Sequence, residues 1–237
     1  QSADHHARWR INSRTGQIDH LGTDTVQFTL VVPKATATRR APFPVAFMGH
    51  GYTGNLTDAL GFGPFMAAQG VAMMGINAPG HGLVLGAAER NLIPLLLRGM
   101  CSGGLTPALT ESRARDLNGD DVADSGGDFW TGYVFHTRDH VRQHALDHMQ
   151  LIRALRGFDG RARAGVDYNR NGDVGDDLAG DFNGDGTPDV GGPDAPFFAM
   201  GGSLGGIMAM VLGSADASVR AARSEEHTSE LQSRSDL

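Results

Sequence analysis

Cysteine is almost missing from this chain: Cys101 is the only one in 237 residues. A lone cysteine excludes a disulfide framework and leaves the question of export open; the side chain itself reads as a small buried residue. Long apolar runs are missing too. A membrane-spanning helix needs roughly 18 or more consecutive apolar residues, and the longest apolar-rich stretch, 83–97, is broken by Glu89, Arg90 and Asn91. Basic residues are scattered and few aromatics accompany them, which excludes a nucleic-acid footprint. The chain starts at Gln1 without a leader, so a signal peptide would have to lie upstream.

Glycine, by contrast, is plentiful, with 34 residues, as many tight turns require. Hydrophobic residues make up 40%, enough for a sizeable core in one or two domains. The net charge of −7 is local: Asp116–Asp128 and Asp167–Asp194 hold 13 of the 27 acids and a single base, Arg170. Outside them 14 acids face 19 bases. Acidity placed this way suits cation binding and does not describe the whole surface.

Short β-branched or apolar runs at 26–33, 45–48, 71–76 and 196–200 read as strands. Helical patterns are read at 62–69, 138–156 and 207–212. In the second, Val141, Ala145, Met149 and Ile152 share a face and Gly157 stops the helix. Alternation of this kind predicts an α/β fold, a mainly parallel sheet with crossover helices. Two Asp/Gly-rich segments, about 111–129 and 160–194, interrupt it as insertions.

Gly201-Gly202-Ser203-Leu204-Gly205 matches G-x-S-x-G between an apolar strand and an apolar helix, the context of a nucleophile elbow. Ser203 is the expected nucleophile, set at a helix N-terminus where the dipole favours developing negative charge. Acyl transfer also needs two N–H groups aimed at the oxyanion. Leu204, following the serine, offers one; Tyr52 or Gly51, in the loop after the strand at 45–48, offers the other.

His136, His140, His144 and His148 recur every four residues. That spacing permits a metal stripe, but without a third ligand the reading preferred is a solvated helix face. Leu92, Ile93, Leu95, Leu96 and Leu97 fit either an acyl-pocket or lid segment or a core helix. The acidic loops share one design. Asp181, Asn183, Asp185, Thr187 and Asp189 put oxygens at positions 1, 3, 5, 7 and 9 with Gly186 at the bend, as calcium loops do. Asp167, Asn169, Asn171 and Asp173 repeat its first seven positions. Asp116, Asn118, Asp120 and Asp124 repeat it again, with Asp121 where glycine is expected. No bidentate Glu stands at position 12. Structural calcium is therefore expected, weakly held, and no organic cofactor.

The motifs MGHGYTGN, NAPGHG and MGGSLGG, in that order over 45–222, make the chain resemble the α/β-hydrolase superfamily. It is similar to bacterial extracellular lipase-like hydrolases with acidic insertions. That resemblance implies a triad in the order Ser, acid, His. After Ser203 the acid available before residue 222 is Asp216, and no histidine follows until His227. Residues 223–233, RSEEHTSELQS, match a translated sequencing adapter, so 1–222 are expected to be a C-terminally incomplete hydrolase domain and 223–237 an artefactual tail. The resemblance implies a secreted or cell-surface serine hydrolase of small-molecule or lipid esters. A peptidase or amidase of the same fold, and a non-enzymatic calcium-binding surface module, are the alternatives.

Overall fold

Strands form where the sequence supplies runs that can be buried on both faces. VAFMG and AMMGI, with no polar side chain in either, become β2 (Val45–Gly49) and β3 (Ala72–Ile76), buried at every position. Continuous apolar runs of this kind belong to parallel sheets covered on both sides. The remaining strands are β1 (Phe28–Val31), β4 (Phe197–Gly202) and β5 (Val219–Glu225), and the sheet order is β1-β3-β2-β4-β5. The pairs β2/β3, β2/β4 and β4/β5 are all parallel. The structure is a computed structural model and describes residues 9–18, 22–100, 102–161 and 178–225.

The helices are α1 (Asp58–Ala68), α2 (Ala87–Gly99), α3 (Thr106–Thr110), α4 (Val134–Arg156) and α5 (Leu204–Ala215). Helix α1 joins β2 to β3 and α5 joins β4 to β5, the crossovers that parallel pairing demands. Among the described residues no helix is long and apolar enough to cross a membrane.

Two compact units make up the chain. The second, residues 29–51, 57–75 and 145–237, carries the sheet. Its main core joins Val45, Phe47, Ala72, Met74, Phe197 and Ala199 of the strands to Ile152 and Leu155 of α4 and Ala209 and Leu212 of α5. The strand residues are spaced by two, the period of one sheet face. A smaller cluster of Met48, Met73 and Ala59, with Met66 and Met200 against it, fills out the same unit. Each fully buried large side chain contributes about 1.5–3 kcal/mol. The first unit, residues 1–28, 52–56 and 76–144, holds α2, α3, the 116–124 loop and the first turns of α4.

Several elements differ from the sequence expectation. Helix α1 starts four residues earlier, although it contains Gly61, Gly63 and Pro64, which local propensity reads as breakers. Packing overrides propensity there: a Cβ on Gly63 would lie 2.4 Å from Val31 Cγ2. Residues 92–97 lie in α2, which has no buried residue, so the core-helix reading fails and Leu92, Leu95 and Leu96 are exposed. Strand β5 was not anticipated; it runs through Arg223, Ser224 and Glu225, across the boundary read at Ala222, and its carboxyl half pairs with Met200, Gly201 and Gly202. Backbone pairing to an open strand edge asks little of the side chains, which is why this segment carries no strong strand pattern. Cys101 and the loop 167–173 lie outside the described residues.

Candidate functional site

In the second unit β4 runs straight into α5 through Ser203, whose backbone sits at φ 52°, ψ −125°. Such a conformation on a residue with a side chain costs about 1–3 kcal/mol and persists only where its surroundings impose it. The surroundings are glycines. A Cβ on Gly205 would meet Gly49 O at 2.0 Å, and one on Gly201 would meet Gly205 C at 2.5 Å and Gly49 O at 2.6 Å. Because Gly49 and Gly201 are register partners, helix α5 starts in direct backbone contact with the carboxyl ends of both β2 and β4. Ser203 is exposed while Leu204 is buried beneath the turn. The Ser203 carbonyl accepts the Gly206 and Ile207 N–H groups, and its own N–H bonds Glu225 O, so the serine is pinned from both sides.

The loop after β2 leaves the same edge of the sheet. His50 is buried and its Nδ1 lies 2.8 Å from Gly51 O. Asp58, opening α1, has its pKa raised by burial, opposed by the N–H that Gly51 donates to it. The Gly51 N–H is thus already engaged. Tyr52 falls in the first unit, its ring 6.0 Å from that of His81 and 6.4 Å from that of Trp130. Asp216 uses its carboxylate on the Ser218 N–H in the turn before β5.

The histidine stripe of α4 is not solvated, contrary to the sequence reading. His136, His140, His144 and His148 are all buried. Residues four apart drift only about 40° around a helix, so the four share one broad face. The outward positions are taken by Arg138, Arg142 and Arg153, leaving the inward face of the first turns to imidazoles. In the first unit the His136 and His140 rings lie 4.0 Å apart, tilted by 52°, and Phe129 lies 5.4 Å from the His140 ring. Asp128, 5% exposed, reaches the pair: its Oδ2 is 3.8 Å from His136 Nε2 and also pairs with Arg115. One ligating atom from each of Asp128, His136 and His140 lies within 4.8 Å of the other two. Burial first, then the charge of His136, pushes His140 down to about 4. Burial likewise lowers His81, against the opposing pull of the Pro79 carbonyl and Asp128. His140, Gly80, Arg115 and Asp139 also line a cavity of about 530 Å³ within this unit. The third member of the group, Asp128, was legible only as one more aspartate of an acidic segment.

The two acidic loops that are described have the same internal wiring. In 116–124, Asp116 accepts the Gly119 and Asp121 N–H groups, Asn118 that of Asp120, Asp120 that of Val122, and Asp124 that of Leu117. In 181–189, Asp181 accepts the Gly184 and Gly186 N–H groups, Asn183 that of Asp185, Asp185 that of Thr187, and Asp189 that of Phe182. Position 6 is left-handed in both, at φ 64° for Asp121 and 85° for Gly186. Aspartate therefore adopts the bend that glycine supplies in the second loop. The carboxylates of these loops do not form a tight group of three like that of Asp128, His136 and His140.

No family model matches the chain, and no curated protein matches it. Among solved structures it is similar to a PEG-bound cold-adapted esterase from an Arctic intertidal metagenomic library, with 14% identity over 87% of this chain and 55% of that one, and a TM-score of 0.35. An acetyl xylan esterase from Paenibacillus sp. R4 aligns with 19% identity over 83% of this chain and 43% of its own, with a TM-score of 0.39. The chain spans about half the length of these two proteins.

Proposed function

We propose that the chain carries the nucleophile of a serine hydrolase acting on carboxylic esters, exported and stabilised by calcium. The observation that carries the reading is Ser203: an exposed serine held at positive φ between a buried parallel strand and a helix, with glycines on either side that a Cβ would disrupt. A strained strand-to-helix turn of this kind presents a hydroxyl at a helix N-terminus, where the dipole and the following N–H stabilise negative charge. In this reading Ser203 attacks the ester carbonyl and the Leu204 N–H holds the oxyanion. The second donor is the Tyr52 or Gly51 N–H expected from the sequence, of which the Gly51 N–H is engaged by Asp58. A serine hydroxyl needs a base to become a good nucleophile, and the family order puts that histidine after the acid. The test is hydrolysis of a short-chain p-nitrophenyl ester by the protein that contains this chain. Turnover reduced to background by Ser203→Ala supports the reading; turnover unchanged by it rejects it.

Calcium enters through the 116–124 and 181–189 loops, and through 167–173 if it follows the same design. Loops without a bidentate Glu bind on the order of 10⁻⁴ to 10⁻³ M, useful only where calcium is millimolar, which is the argument for a secreted or cell-surface location. At 100 times its dissociation constant one ion adds about 2.7 kcal/mol. Calorimetric titration that detects no heat of binding at millimolar calcium rejects this part alone.

A further inference from the structure

We infer that Asp128, His136 and His140 form a binding site for a divalent transition-metal ion of the zinc type, separate from Ser203 and from the acidic loops. Two imidazoles and one carboxylate are a donor set that zinc accepts, with a fourth position left open. The spacing supports it: His136 and His140 are one helical turn apart, and Asp128 enters from the segment just before the helix. Ligand atoms around a tetrahedral ion at about 2.0–2.1 Å stand roughly 3.3 Å apart. With one ligating atom from each of the three residues within 4.8 Å of the other two, only small side-chain rotations are needed to close the group.

Three further features fit an ion better than a plain ion pair. Asp128 Oδ1 and His140 Nδ1 are buried and take part in no hydrogen bond, and each side chain is more than nine-tenths buried. Leaving such atoms unsatisfied is destabilising, a cost that a metal ligand recovers. The site is also cut to shape by Gly80. A Cβ there would lie 2.5 Å from Asp128 Oδ1 and 3.5 Å from His140 Cε1, filling the space beside the two donors. Lastly, a supporting layer and an entry path are present, as a working site requires. Arg115 orients the carboxylate through its other oxygen, Thr137 Oγ1 bonds Phe129 O at 2.6 Å and steadies the neighbouring residue, and His140 borders the 530 Å³ cavity.

The test uses the full chain and Zn²⁺ alone, by calorimetry in competition with a chromogenic chelator, with Ca²⁺ and Mg²⁺ as comparison ions. One zinc is expected to bind, undisplaced by millimolar Ca²⁺. His136→Gln, His140→Gln and Asp128→Asn are each expected to weaken it at least 10-fold, and His144→Gln to leave it unchanged. Absence of zinc binding by the unaltered chain overturns the proposal, and so does binding that survives all three ligand variants. Because these side chains are buried and a variant can fail to fold, X-ray absorption on the unaltered zinc-loaded chain provides a second measurement. Two imidazoles and one carboxylate oxygen at about 2.0–2.1 Å support the site; an oxygen-only shell overturns it. Calcium binding and esterase activity can each fail without touching this result.

Discussion

Replacing Gly205 by alanine tests the claim that backbone contact, not sequence preference, builds the Ser203 turn. The added Cβ would sit 2.0 Å from Gly49 O, 2.3 Å from Gly49 C and 2.8 Å from His50 O. Ordinary carbon contacts begin near 3.5 Å, so α5 must move from β2 by more than 1 Å. No flexible side chain can yield, because all three atoms are backbone. Overpacking costs about 1–3 kcal/mol, and backbone opposition puts this case at the upper end. Alanine is the better helix former by about 1 kcal/mol and returns that much. The net loss is about 2 kcal/mol, which for a chain of this size is a fall of about 4–8 °C in melting temperature. Gly202→Ala is the control: nothing lies within 4 Å of its Cβ, so it should change stability by less than about 0.5 kcal/mol. Thermal unfolding followed by circular dichroism measures both. If Gly205→Ala melts with the unaltered chain or with Gly202→Ala, the close approach of α5 and β2 is not real.

Ser203→Gly should melt above Ser203→Ala by about 1 kcal/mol, since glycine relieves a strain of about 1–3 kcal/mol and gives back about 0.5–1 kcal/mol in chain entropy; equal melting points would mean the serine backbone is relaxed. Asp121→Gly should stabilise the chain by about 1 kcal/mol, because it gives position 6 of the first acidic loop the residue that position 6 of the second already has; chemical denaturation that shows a loss counts against the shared bend. Asp58 has a folded-state pKa above its unfolded value, through burial. The folded state then holds the extra proton, so this group's contribution falls as pH rises from the unfolded to the folded pKa and is fully unfavourable at neutral pH. Asp58→Asn should accordingly raise the melting temperature at pH 7, with the gain vanishing as the pH drops into the carboxyl range. A gain that persists in acid has some other origin.

Much of the sheet could be read in advance because VAFMG, AMMGI and the run before Ser203 have no polar alternative to burial. The Gly201–Gly205 motif was legible for a related reason: only glycine tolerates backbone at 2.0–2.6 Å from where a Cβ would stand, and clustered glycines between a strand and a helix have few other uses. What the sequence hid was decided by distant partners. Helix α1 tolerates Gly63 because Val31 fills the space. Residues 219–225 pair because β4 offers an edge, not because of their own pattern. The α4 histidines look like a polar face to any periodicity rule, whereas His136 and His140 meet Asp128 and Phe129 arriving from a loop.

That last case changes what the acidic segment 111–129 does. Read along the chain, Asp116, Asp120, Asp124 and Asp128 are one series at intervals of four, and charge count alone treats them alike. The fold divides them. Asp116, Asp120 and Asp124 spend their oxygens on N–H groups of their own loop, at the surface. Asp128 turns inward, pairs with Arg115, and meets two buried imidazoles. A carboxylate in the first setting selects hard, well-hydrated cations by oxygen count. One beside buried imidazoles favours borderline metals. The segment thus presents two chemistries a few residues apart, and the Gly126 N–H to Gly80 O bond at 2.8 Å fixes the chain where it passes from one to the other. Gly126 takes φ 75° there, with His81 Nε2 2.9 Å from its missing Cβ. A side chain at 126 would push the loop off His81 and carry Asp128 away from α4, so the metal group should be lost while the 116–124 wiring stays intact.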